Sequence, residues 1–265
     1  MVRHRMVGVC ALAIVVASAA QSDKARADGR TACTPDVTGS ATVQSVTDGR
    51  TVILDDGREL RLPGIEVPED DGNGAAARAA LEKHVGGQEV LLLQMGPDSD
   101  RYGRLTAGLT LADNEKPVQL ELLADGLALS GSTAANTGCG VAFLNAEKAA
   151  RVAGFGLWKT AYYAKTKAED PSGVLAFRGH FAVVEGKVLS VRESGSLVYV
   201  NFGRRWSEDF TVTTLKRNER TFEAAGLPLK KLAGRWIRIR GTVEERGGPW
   251  IELIHPGQIE IAEQP

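Results

Sequence analysis

The sequence predicts a mainly β protein with added helices, built as two successive domains. Three observations carry this. Strand patterns joined by a tight turn run from Thr47 to Ile65, a second series of short strands surrounds one helical stretch between Phe181 and Ile261, and a polar break ending in Pro171-Ser172-Gly173 separates them. A chain of 265 residues with a hydrophobic fraction of 43% can bury a core in each half.

The amino terminus reads as an export signal. Arg3, His4 and Arg5 precede an apolar run from Val7 to Val16, and small residues follow. That run is too short to span a bilayer, which needs about 20 residues. Cleavage can fall after Ala17-Ser18-Ala19 or after Ala25-Arg26-Ala27. The polar segment between them favours the second, which makes residues 1–27 the signal peptide. Cys10 does not fit a lipid attachment site, because the bulky Val9 precedes it. Removal of the signal leaves Cys33 and Cys139, and two cysteines in an oxidising compartment predict one disulfide. The expected location is periplasmic or secreted, with no membrane association after the signal is removed.

The first domain is expected over residues 38–162. Thr47-Asp48-Gly49-Arg50-Thr51 opens a strand, Asp55-Asp56-Gly57 is a hairpin turn, and Arg58 to Ile65 is the return strand, which delivers Glu66 and Glu69. A helix rich in Ala, Leu, Glu and Lys follows from Ala75 to Val85 and stops at Gly86-Gly87. Next come a buried strand at Val90 to Leu93, a strand carrying Arg104 and Leu105 to Leu111, and helices around Val118 to Leu127 and Phe143 to Trp158. Arginines on strands with carboxylates just beyond them suit phosphodiester chemistry. Guanidinium groups grip phosphate oxygens through paired hydrogen bonds, and carboxylates hold a hard cation or take a proton from water. The same residue types also form ordinary surface ion pairs on sheets.

The order of these elements, together with Asp48-Gly49, Arg61, Pro68-Glu69, Asp100-Arg101-Tyr102-Gly103-Arg104, Gly126-Leu127-Ala128 and Gly156-Leu157-Trp158, resembles the staphylococcal nuclease (thermonuclease) family over Ala41 to Lys159. The resemblance implies an oligonucleotide-binding (OB) type β-barrel with added helices. It further implies that Arg61 and Arg104 hold the phosphate, that Glu69 is the general base, and that Tyr102, with Arg101 beside it, lies against the nucleotide. DNA or RNA would be the partner. The family's calcium site uses an aspartate two residues after the Asp48 position, a second at the Glu66 position, and the next backbone carbonyl. Arg50 stands at the first of these places, Glu66 at the second and Val67 at the third. A fixed cation cannot ligate calcium.

Two arrangements follow. Arg50 can turn inward, pair with Glu66 and meet the phosphate, leaving no cofactor. Alternatively it can turn to solvent while Asp48, Asp70 or Asp71 completes a Ca2+ site with Glu66 and Glu69. The stretch after Ala128, Leu129-Ser130-Gly131-Ser132-Thr133, also lacks the tyrosines with which the family grips its nucleotide.

A linker is expected over residues 163–177 and a second domain over 178–263. The pattern there is strands at Phe181 to Val191, Leu197 to Phe202 and Asp209 to Thr214, a helical stretch around Arg217 to Leu232, then strands at Trp236 to Val243, Trp250 to Ile254 and Gln258 to Ile261. This is the order of a second OB-like barrel. Its aromatics and basic groups interleave, with Tyr199, Phe202, Arg204, Arg205 and Trp206 in one cluster and Arg235, Arg238, Arg240 and Arg246 near Trp236 and Trp250 in another. Single-strand binders need that mixture, although plain strand alternation would also place arginines on a solvated face.

With 32 basic and 33 acidic residues there is no global cationic field, so any anion binding is local. The four histidines, His4, His84, His180 and His255, show no metal-ligand spacing. Three functions are compatible with the sequence: an exported nuclease cutting DNA or RNA, a catalytically silent nucleic-acid or phosphate binder on the same fold, and an envelope module that binds protein or glycan. The sequence sets no oligomeric state.

Overall fold

One bent strand organises the amino-terminal half of the computed structural model, which describes residues 33–68, 72–114, 116–160, 163, 166–205 and 207–262. The expected signal peptide with Cys10, and Glu69, Asp70, Asp71, Tyr162 and Trp206, lie outside the described residues. Strand β1 (Val37–Asp48) pairs through its first half with β5 (Glu89–Leu93) and through its second with β2 (Thr51–Leu54). Register shifts after Val37, Val43 and Val46 break the ladder. Such bulges increase local twist, which lets one strand curl across both partners.

With β3 (Glu59–Arg61), β6 (Leu105–Thr106) and β7 (Gly108–Thr110), the sheet order is β6-β3-β2-β1-β5-β7. The turn joining β2 to β3 is the one read from Asp55-Asp56-Gly57, with Gly57 at φ 83°. Helix α1 (Asn73–Val85) buries Ala77, Leu81 and Val85, which at a spacing of four lie on one face. That face lies so close to the β1–β2 turn that a Cβ on Gly49 would stand 2.7 Å from the side chains of Ala77 and Val67.

A short ladder pairs β4 (Ile65–Glu66) with β8 (Leu129–Ser130), behind which lie α2 (Val118–Ala124) and α3 (Gly140–Ala153). Two glycine motifs of the sequence meet here. Gly126 and Gly156 both have positive φ, and a Cβ on Gly156 would stand 2.2 Å from the Gly126 carbonyl oxygen, which accepts a hydrogen bond from Leu157 N at 2.9 Å. The expected disulfide joins Cys33 to Cys139 at the start of α3.

After α4 (Pro171–Leu175), the stretch read as one strand from Phe181 to Val191 is divided between two sheets. Strand β9 (Phe181–Lys187) joins β13 (Trp236–Thr242) and β16 (Ile259–Ile261), whereas β10 (Ser190–Ser194) begins the order β10-β11-β12-β15-β14. The switch is visible in the hydrogen bonds: Val188 N donates to Arg235 O, and Leu189 N to Asn201 O. The other members are β11 (Leu197–Asn201), β12 (Thr211–Leu215), β14 (Glu244–Arg246) and β15 (Gly248–Glu252). Strand β14 escaped the sequence because all three of its side chains are exposed and charged. The expected helical stretch condenses to α5 (Glu219–Ala224) between 3-10 turns.

The two halves share apolar packing. Leu129, Ala150, Leu157 and Trp158 of the first belong to one buried cluster with Val184, Val200, Ile237 and Ile251 of the second. Tyr163, Ala168, Val174 and Phe177, from the segment expected as a linker, join the same cluster.

A buried ion pair crosses this junction. Arg240, fully buried in β13, donates to Glu147 of α3 at 2.8 and 3.1 Å and to the Ser130 carbonyl at 3.0 Å. Glu147, also fully buried, accepts from Ser130 N at 2.7 Å and from Arg151 at 2.9 Å. Burial alone would lower the Arg240 pKa, but the adjacent Glu147 carboxylate raises it, so the guanidinium keeps its charge.

Breaking one side of a buried pair strands a charge, which costs about 3–5 kcal/mol. Arg240→Met is therefore expected to lower unfolding free energy by about that amount in urea titrations, and Arg240→Met with Glu147→Leu to recover more than half of it. The disulfide closes a separation of 106 residues. Cys33→Ser with Cys139→Ser is expected to cost about 4 kcal/mol by the same measurement, chiefly by freeing the unfolded chain.

Candidate functional site

Three arginines converge at one end of the first sheet, each brought there by strand pairing. Antiparallel pairing of β2 with β3 sets Thr51 opposite Arg61, and parallel pairing of β3 with β6 sets Arg61 opposite Thr106, two residues after Arg104. Arg50 precedes β2, with its carbonyl held by Leu62 N at 2.8 Å.

Their charge partners differ. Arg50 turns inward, donating to the Ile65 carbonyl at 2.9 Å and pairing closely with Glu66. Its own N–H is held by Asp48 at 2.8 Å, so the Asp48-Gly49-Arg50 turn fixes the direction of the side chain. Arg104 is gripped by Asp100 at 2.7 Å and approaches Glu59 at 3.5 Å. Burial alone would lower its pKa, but the bond and charge of Asp100, with those of Glu59, raise it.

Arg61 is the least compensated of the three. Among the described residues its guanidinium has one hydrogen bond, to Thr51 Oγ1 at 3.2 Å, and one distant carboxylate, Asp48 at 3.9 Å. Burial pushes its pKa down, and the guanidiniums of Arg50 and Arg104 push it further, against the opposite pull of Asp48 and Glu66. Repulsion among these cations leaves a locus that would gain from an anion.

Tyr102 is 67% exposed and stands between two cations: the Arg101 guanidinium lies 4.7 Å and that of Arg104 5.3 Å from its ring centre. Arg101 also donates to the Tyr102 hydroxyl at 2.6 Å. Beside Arg50, a cleft of about 810 Å³ opens between the end of β1 and α1, lined by Asp48, Gly49, Val67 and Arg78 among others. The structure thus brings Arg50, Arg61, Glu66, Tyr102 and Arg104 into one neighbourhood, while Glu69 lies outside the described residues.

Supporting roles went unread in the sequence, although spacing hinted at one. Asp100 Oδ1 accepts from the N–H groups of Tyr102 at 2.9 Å and Arg104 at 3.1 Å, so one carboxylate shapes the Asp100–Arg104 turn and aims Arg104. A carboxylate four residues before an arginine is a recognisable signal for such a pair. Thr51 and Glu59 become partners only through strand register, which no local motif announces.

In the carboxy-terminal half of the chain the basic residues separate into different roles. Arg240 is buried in the junction, Arg238 pairs with Glu185 at 2.6 Å and Glu260 at 2.8 Å, and Phe202 packs on Phe210 in the core. Arg205 pairs with Glu208 at 2.8 Å. Tyr199, Arg204, Arg246 and Trp250 line a common groove, which Arg235 and Trp236 do not line.

Residues 59–160 match the family model described as staphylococcal nuclease homologue. No curated protein matches the chain.

Burial alone would raise the Asp100 pKa, but hydrogen bonds from Arg104 and from the Tyr102 and Arg104 amides, with the Arg104 charge, together hold it below its ordinary value. A depressed carboxylate stabilises the fold above its unfolded pKa and ceases to do so as pH falls through its folded one, below about pH 4. Amide exchange at Tyr102 and Arg104 is expected to lose protection over that range, and in Asp100→Asn to be weakly protected and nearly flat with pH.

Proposed function

We propose that this chain, which carries a staphylococcal nuclease homologue domain at residues 59–160, binds nucleic-acid phosphodiesters through Arg61 and Arg104 without calcium. The observation that carries the proposal is the direction of Arg50. Its guanidinium holds the Ile65 carbonyl and the Glu66 carboxylate, two oxygens of the segment where the resemblance expects metal ligands. A calcium ion cannot share those oxygens with a fixed cation, and it requires six to eight oxygen ligands. Among the described residues no group of three or more His, Cys, Asp and Glu side chains is placed to hold a metal. The place that Arg50 takes supports binding without calcium.

The residues have separate tasks in this proposal. Arg61, short of a close carboxylate, grips a phosphate oxygen. Arg104, aimed by Asp100, contacts a second, and Tyr102 offers an exposed ring for a base. Arg50 adds positive charge from beneath. Family members bind nucleic acids, which supports DNA or RNA as the partner. The Cys33–Cys139 disulfide supports an exported protein. Among the described residues no helix is long and apolar enough to cross a membrane.

The test is binding of fluorescently labelled oligothymidylate to the mature chain, followed by anisotropy with chelator or with calcium, while a gel follows product. Equal affinity in both conditions, weakening as salt rises, and no cleavage are expected. Arg61→Ala is expected to weaken binding at this site about tenfold or more, as for loss of a charged hydrogen bond. Calcium should raise the melting temperature of Arg50→Asp and leave that of the wild type unchanged. Calcium-dependent cleavage by the wild type would refute the proposal and point instead to a nuclease working through Glu69.

A further inference from the structure

The second domain carries a groove that the arginine cluster does not use. Strands β11 and β12 turn Val198, Val200 and Val212 into the core and direct Tyr199, Asn201, Thr211 and Thr213 to the opposite face. Register places Arg192 opposite Tyr199 and Tyr199 opposite Thr213. In the neighbouring row Asn201 lies opposite Thr211, and Thr211 opposite Trp250. Thr211 and Thr213 are only 3% and 1% exposed although they face away from the core, so the larger side chains around them cover the floor of the groove. The cleft measures about 930 Å³.

Two kinds of surface meet there. Tyr199 and Trp250 stand edge to face, with ring centres 6.2 Å apart and planes at 87°, and the Arg246 guanidinium lies 4.7 Å from the Trp250 ring centre. Arg192 and Arg204 are exposed and have no ion pair among the described residues. The opposing charges are already engaged: Glu193 is held by Lys216 at 2.9 Å and Lys230 at 2.5 Å, and Glu244 by Arg246 at 2.9 Å. Hydrogen bonds from those lysines hold the Glu193 pKa at about 2, so it stays charged and satisfied at neutral pH. The groove is thus net cationic and aromatic.

We infer that this groove, formed by Arg192, Tyr199, Arg204, Arg246 and Trp250, is a second nucleic-acid site that takes single strands. Aromatic faces alone would suit a sugar, but two uncompensated guanidiniums beside the rings favour a polyanion. Bases must be unstacked to lie against a ring, which a duplex does not offer.

The experiment uses the full mature chain with Arg61→Ala and Arg104→Ala, which silences the first site. An oligothymidylate of about ten nucleotides, within the range for one barrel, is followed by anisotropy and by tryptophan fluorescence. Retained binding with quenched tryptophan emission is expected. Adding the exposed changes Arg192→Glu and Arg204→Glu should weaken binding at least tenfold and reduce the salt slope by about two. The same two changes in the otherwise native chain should leave calcium-independent binding at Arg61 in place, so failure of either site is read separately. Loss of all binding in Arg61→Ala with Arg104→Ala would overturn the inference. So would indifference to the charge reversals, or binding of uncharged cellohexaose without binding of oligothymidylate.

Discussion

The ion pair between Arg240 and Glu147 joins the two halves of this molecule through two side chains that are both fully buried. Two charges removed from water are costly, and their attraction offsets that cost only when geometry and further hydrogen bonds are good. Here part of the remaining capacity is used, with Ser130 N and Arg151 on Glu147 and the Ser130 carbonyl and Glu260 on Arg240, while Arg240 Nε is buried without a hydrogen-bond partner. Ser130 also pairs with Ile65 in the β4–β8 ladder, and Glu66 is the next residue of β4. Strand β13 is thereby linked, through Ser130, to the β4 segment that presents Glu66 to Arg50. The geometry of the arginine cluster depends on a junction that the nuclease-like domain does not complete alone.

Within the cluster, mutually repelling cations are held together by separate anchors. Each guanidinium is anchored by a different device: a backbone carbonyl and Glu66 for Arg50, Asp100 with Glu59 for Arg104, and a hydroxyl for Arg61. The compensation is uneven, and the unevenness has a chemical meaning. A cation fully matched by carboxylates attracts no ligand, whereas one held mainly by a neutral hydroxyl and pressed by like charges gains most from an anion. Arg61 is in that state. The same logic separates the arginines of the carboxy-terminal half. Arg238 and Arg240 are consumed by carboxylates in the junction, and Arg192 and Arg204 are not.

Much of this was legible in the sequence because the informative signals are local. The Asp-Gly turn, the alternation of β11, the glycine stops and the order of strands and helices each reflect nearby backbone preferences. Gly126 and Gly156 could be noticed as motifs, but their reason, two backbones in contact, requires the fold. Arg240 shows the limit most clearly. Alternation along β13 would put it with Arg238 toward solvent, yet Glu147 and Ser130 of the amino-terminal half cover Arg240 and turn it into a buried ion pair. The continuous strand expected from Phe181 to Val191 failed for a related reason, since only tertiary pairing decides where a strand leaves one sheet for another.

Arg50 is where sequence and geometry together bear most directly on chemistry. A guanidinium and a calcium ion both place positive charge near a phosphodiester, and for holding the substrate they are partly interchangeable. They differ in what remains available after binding. A metal keeps coordination positions in which water is oriented and made acidic, while a guanidinium offers only N–H donors and never gives up its proton at physiological pH. Replacing the one by the other keeps the attraction for the ground state and removes a means of generating the nucleophile. Catalysis requires interactions that strengthen in the transition state, and a preformed Arg50–Glu66 pair is already satisfied before any substrate arrives. Under the proposed function, such a site favours retention of a phosphodiester over its cleavage.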